Sequence, residues 1–127
     1  MPAQRLVATS HLILAILLAG GVWLALPARW LPVDIVGTAL ALACGAAAFA
    51  LFARRAWAPR LARAVSWTLL VAGCSLTTLL AMSFGHLYGS YGPVGAGGAL
   101  LMTCVALLFL PYLVGVPAWQ LARLRPR

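Results

Sequence analysis

The sequence predicts an all-α membrane protein: a four-span transmembrane helical bundle with both termini cytoplasmic, forming a single domain over residues 1–127. Three observations carry this. Apolar residues make up 65% of the chain and charged residues 8%, whereas a soluble domain carries about 25% charge to clothe its core. The charges punctuate long apolar runs: 23 uncharged residues separate Arg5 from Arg29, 19 separate Asp34 from Arg54, and 59 separate Arg63 from Arg123. A spanning helix needs ~20 apolar residues, so the first two runs hold one span each and the third holds two. Lastly, the cations are placed asymmetrically along this pattern, which sets orientation.

The first span is expected at about 8–26. Its apolar run is longer than the ~7–15 residues of a signal-peptide core, and LALPARW offers no small-x-small cleavage site. The second span is expected at about 35–53, with Asp34 beside its start, where the helix dipole favours an anion. The third is expected at about 64–85, with Pro59 at its start, where a missing N–H costs nothing. HLYGSYGP at 86–93 combines turn residues with interfacial aromatics and is expected to divide the long run. The fourth span follows at about 94–116. Val94 to Ala122 is 29 residues, ~43 Å as a helix, which exceeds the ~30 Å hydrocarbon core. A kink is therefore expected near Pro111, with a tail from Pro117 at the interface anchored by Trp119.

All nine cations are Arg, and four of them lie in RRAWAPRLAR at 54–63. Four spans put both termini and this loop on one side, gathering eight of the nine Arg there. Positive charge stays cytoplasmic, so Arg54, Arg55, Arg60 and Arg63 are read as topology determinants that also meet an anionic cytoplasmic leaflet. Each Arg near such a surface contributes ~1 kcal/mol. Nucleic acid is not expected as a partner, because the Arg residues form no stripe on a polar surface. The expected setting is a bacterial inner membrane.

Chemistry-bearing residues are sparse. Cys44, Cys74 and Cys104 fall near the middle of three spans, without the spacing of a metal or redox motif; they read as small core residues. His11 and His86 fall at opposite ends of their spans, roughly a bilayer thickness of ~30 Å apart, so one haem cannot join them. With no Glu and one Asp, a carboxylate pair is impossible. No catalytic residue, metal or cofactor is expected. One constellation at the periplasmic end, Arg29, Asp34, His86, Tyr88 and Tyr91, with Trp30 and Ser90 nearby, is a candidate ligand site. Ser66, Thr68, Ser75, Thr77, Thr78 and Ser83 dot the third span, where hydroxyls bond back to the i−4 carbonyl or line a polar seam.

YGSYGPVGAGGALL at 88–101 resembles the start of the last span in the YihY/BrkB family, over 14 residues. In length and expected span count the chain is similar to small multidrug-resistance transporters, fluoride channels and lipid-linked-sugar flippases. It lacks the intramembrane Glu of the first and the Gly-Thr-Asn signature of the second.

Three function classes follow. Small-residue faces such as Gly20-Gly21 and Gly45 with Ala46 to Ala48 suit close helix packing, and favour a non-enzymatic accessory or assembly subunit of a larger membrane complex, or a homo-oligomer. A small oligomeric transporter, channel or flippase is the alternative. A periplasm-facing enzyme or sensor using His86 and Asp34 is the third.

Overall fold

The computed structural model describes residues 2–25 and 31–124. They are almost entirely helical, and among the described residues there is no strand. The apolar composition explains this: without water, backbone N–H and C=O groups must be satisfied within their own segment. Helix α1 is Pro2–Gly20 and continues as a wide π turn at Gly21–Ala25; α2 is Leu31–Phe52; α3 is Ala58–Leu110; a second π turn, Pro111–Gly115, leads into α4, Val116–Arg123. Three stretches are long and apolar enough to cross a membrane: Gln4–Leu24, Leu31–Phe52 and Ala58–Gly92.

Prolines sit where the helices start. Pro2 and Pro32 lie in the first turns of α1 and α2, and Pro59 is the second residue of α3, positions where the absent N–H has no helical partner to lose. Asp34 joins Pro32 in the first turn of α2.

The structure narrows the expected divider to one residue of HLYGSYGP. Residues His86 to Tyr91 are helical rather than a turn, and the break is concentrated at Gly92, with φ 55° and ψ −135°. Gly, Ser and Tyr signal turns where water can take over the backbone's hydrogen bonds; an apolar setting withholds that exchange. Only glycine adopts this conformation without steric penalty. Pro111 produces a local widening. The N–H of Val116 donates to the Pro111 carbonyl, a five-residue spacing that accommodates a ring with no N–H of its own.

The end of α2 is a Schellman motif. The Arg55 N–H donates to the Ala50 carbonyl (3.1 Å) and the Arg54 N–H to the Leu51 carbonyl (3.2 Å). This motif places its penultimate residue in the left-handed region, usually as glycine. Here that residue is Arg54, at φ 51°, the one non-glycine with positive φ among the described residues. Such a conformation costs a side-chain-bearing residue ~1–2 kcal/mol.

The chain forms two compact units, Met1–Ser66 with Gln120–Arg127, and Trp67–Trp119. In the first, α1 packs on α2. Val7, Ala8, His11 and Leu14 make the buried stripe of α1, at helical spacing. Ala41, Cys44, Ala47, Ala48 and Leu51 make that of α2. Small side chains let the backbones approach. At Gly37 a methyl group would run into the Val22 side chain.

In the second unit the two arms of α3 turn back on one another about Gly92. A Cβ on Gly73 would collide with the Leu113 carbonyl. Thr77, Leu80 and Phe84 on one arm and Thr103, Leu107 and Leu110 on the other border a groove of about 350 Å³.

Candidate functional site

The most concentrated polar chemistry lies inside the first unit. His11 and Ser66 are fully buried, and so is Gln120 from α4. Each occupies a core position of its helix: His11 is four residues after Val7, Ser66 four after Ala62. His11 Nδ1 is 2.9 Å from the Val7 carbonyl. A carbonyl only accepts, so Nδ1 carries the proton and a neutral ring offers its lone pair at Nε2. That lone pair lies 3.4 Å from Ser66 Oγ, a long contact. Ser66 Oγ is also 2.9 Å from the Ala62 carbonyl and 2.9 Å from Gln120 Oε1. A hydroxyl has one proton, so Ser66 serves one of these acceptors at a time. Gln120 Nε2 donates to Ser10 Oγ at 2.8 Å, and Ser10 Oγ donates to the Val7 carbonyl at 2.8 Å.

The result is a closed polar knot that ties α1, the first turns of α3, and α4. Arg63 reinforces it by donating to the Leu124 carbonyl just beyond α4, where a cation also suits the helix dipole. The tail after Pro117 is helical, with Pro117 and Gln120 buried. A Ser–His pair without solvent access has no path for a substrate carbonyl, so the knot is suited to fastening helices.

The expected periplasmic constellation divides between the two units. Asp34 is in the first unit; its Oδ1 is buried and has no hydrogen-bond partner among the described residues, as is true of Thr38 Oγ1 one turn later. His86, Tyr88 and Tyr91 belong to the second unit and are exposed, with Tyr88 stacked on Phe84 at 6.4 Å between ring centres. Arg29 and Trp30 lie outside the described residues.

The four loop arginines take different roles. Arg54, Arg55 and Arg60 are exposed, Arg54 also lining a cavity with Arg5, and Arg63 binds the backbone after α4. Cys44 is buried, whereas Cys74 and Cys104 are exposed, and all three are free thiols. The hydroxyls of Thr77, Thr78 and Ser83 bond back to the carbonyls of Gly73, Cys74 and Leu79 at 2.8–2.9 Å. Sequence reasoning missed the knot. The available signal was polar residues at core-register positions, His11 between Val7 and Leu14 above all.

Compared with known protein families, curated proteins and solved structures, the chain matches none.

Proposed function

We propose that this protein is a non-enzymatic accessory or assembly subunit of a larger membrane complex, built as four spans with both termini on the cytoplasmic side of a bacterial inner membrane. The observation that carries the reading is how the polar side chains are used. His11, Ser66 and Gln120 bond to one another or to backbone inside the first unit, and the hydroxyls of Thr77, Thr78 and Ser83 bond to their own helix. Away from His86, Tyr88 and Tyr91, which are exposed, much of the outward surface is apolar: Ile16, Leu42, Phe49, Val71, Leu79, Leu100 and Leu108 are exposed along the helices. Helix faces of that kind suit lipid and partner helices, and association in a bilayer relies on packing against them. A proton-coupled transporter usually needs an ionisable group facing the bundle interior at mid-depth, which the span register does not supply.

Mild-detergent purification with mass determination tests the assignment. A reproducible hetero-complex is expected. A homo-oligomer that moves solute in liposomes and loses that on Thr77→Val overturns it in favour of a transporter. Loss of function from His86→Ala alone, with normal assembly, overturns it in favour of a periplasm-facing site. Topology is tested separately: reporter fusions after Arg29 and after Ser90 should read periplasmic, and one after Trp57 cytoplasmic. Replacing Arg54, Arg55, Arg60 and Arg63 together by Ala should scramble orientation while insertion persists.

A further inference from the structure

At the end of the first unit that carries Arg54, the last turn of α2 and the start of α1 border a cavity of about 510 Å³, lined by Gln4, Arg5, Leu51, Phe52 and Arg54. That is within the size range of small-ligand sites, ~300–1,000 Å³. Two arginines and a glutamine line it, beside Leu51 and Phe52. The only acidic side chain of the sequence, Asp34, is in the first turn of α2. Some 20 residues of helix separate it from Arg54, or ~30 Å, so no carboxylate side chain of this chain reaches the pair. Two cations lining one cavity with no carboxylate of their own attract an anion into it.

A second observation singles out Arg54. It fills the left-handed position of the Schellman motif, where glycine avoids a steric penalty. A local rule broken at one residue marks a place where the side chain itself is wanted. The planar guanidinium fork can donate to two phosphate oxygens at once, a bidentate grip that a compact ammonium does not match.

We propose that Arg5 and Arg54, assisted by Gln4, form a binding site for the phosphate group of an anionic amphiphile, with Leu51 and Phe52 flanking the first carbons of its chain. The chemistry recognised is a phosphate ester carrying net negative charge. An anionic phospholipid headgroup supplies it, and so in principle does free phosphate; the apolar half of the lining favours the lipid. This goes beyond general attraction of basic residues to an anionic leaflet, because it names two of the arginines and excludes others. It is also independent of the accessory-subunit assignment, since the cavity belongs to the isolated chain.

Native mass measurement of the full chain in a neutral detergent tests the site, with dioleoyl phosphatidylglycerol, dioleoyl phosphatidylcholine or inorganic phosphate added separately. One phosphatidylglycerol per chain should bind saturably, about tenfold tighter than phosphatidylcholine, as expected for one charge-assisted contact. Arg5→Gln and Arg54→Gly should each weaken it by about tenfold or more. Arg54→Gly is the decisive variant, because relieving the left-handed strain keeps or raises thermal stability while the binding group is lost. The double variant Arg55→Gln, Arg60→Gln, which alters exposed residues that do not line the cavity, should bind within about twofold of the parent. Equal binding by Arg54→Gly and the parent overturns the proposal, and so does an equal loss in the Arg55/Arg60 variant, which means diffuse charge. Inorganic phosphate that displaces the lipid at equal concentration overturns the amphiphile assignment and leaves a free-phosphate site.

Discussion

The unit made of Met1–Ser66 with Gln120–Arg127 and the hairpin Trp67–Trp119 handle their polar side chains in opposite ways. In the first, Ser10, His11, Ser66 and Gln120 bond across helices that are far apart in sequence. In the second, Thr77, Thr78, Ser83 and Thr103 each bond to the carbonyl four residues earlier. The hairpin is held by close backbone approach at Gly73 and a single break at Gly92; the first unit adds polar fastening to small-residue packing. The difference shows two solutions to the same constraint. A hydroxyl in an apolar setting must find a partner, and its own helix is always within reach. Side chains with more hydrogen-bonding groups, such as His and Gln, exceed what one helix offers and so connect several.

Glycine substitutions in the hairpin should produce the largest effects. Gly92→Val places a β-branched side chain at φ 55°, and should cost ~3 kcal/mol in a detergent-unfolding titration. Gly73→Ala should cost ~1–3 kcal/mol, since the obstructing atom is backbone and cannot rotate away. A hairpin that tolerates both unchanged would contradict the close approach of its arms. Breaking the knot should cost less: Gln120→Leu removes its bonds with Ser10 and Ser66, leaving each serine its own helix's carbonyl, and should lower stability by ~1 kcal/mol. A double-mutant cycle of Gln120→Leu with Ser10→Ala should give a coupling of ~0.6 kcal/mol, the scale of interhelical hydrogen bonds in bilayers. Zero coupling would show that the pair does not interact. Smallest of all, Thr78→Val, Ser83→Ala and Cys74→Ser should each stay within ~0.5 kcal/mol, measured in the same titration. The buried Cys44 is the sharper control: Cys44→Ser should cost more than Cys74→Ser.

Much of the helical framework was legible before any coordinates. Charge spacing located α1 and α2, because in so apolar a chain a charged residue marks an end. Pro59 located the start of α3, since proline suits a first turn. The divider was placed in the right segment but expected as a turn across HLYGSYGP, because those residues were weighed with turn preferences from water; the backbone from 86 to 91 is helical and yields at Gly92. The knot was not legible. The Ser10–Gln120 bond joins residues 110 apart, and no local pattern announces a partner at that distance. Arg54 shows the same limit in another form. Its charge was read as part of a topology signal, yet its left-handed backbone depends on how α2 ends.

That separation of 110 residues also sets a timetable. Ribosomes add ~5–20 residues per second, so α1 waits roughly 5–20 s before Gln120 exists to meet Ser10. Until residue 66 exists, His11 and Ser10 have only α1's own Val7 carbonyl as partner; Ser66 then reaches His11, and Ser10 still waits for Gln120. The hairpin can close about Gly92 earlier, from the turn outward, because loops that are short cost least to close. The knot is therefore the last fastening to close in biogenesis, and a chain released before residue 120 would present the membrane's quality-control machinery with Ser10 and Ser66 lacking the amide that joins them.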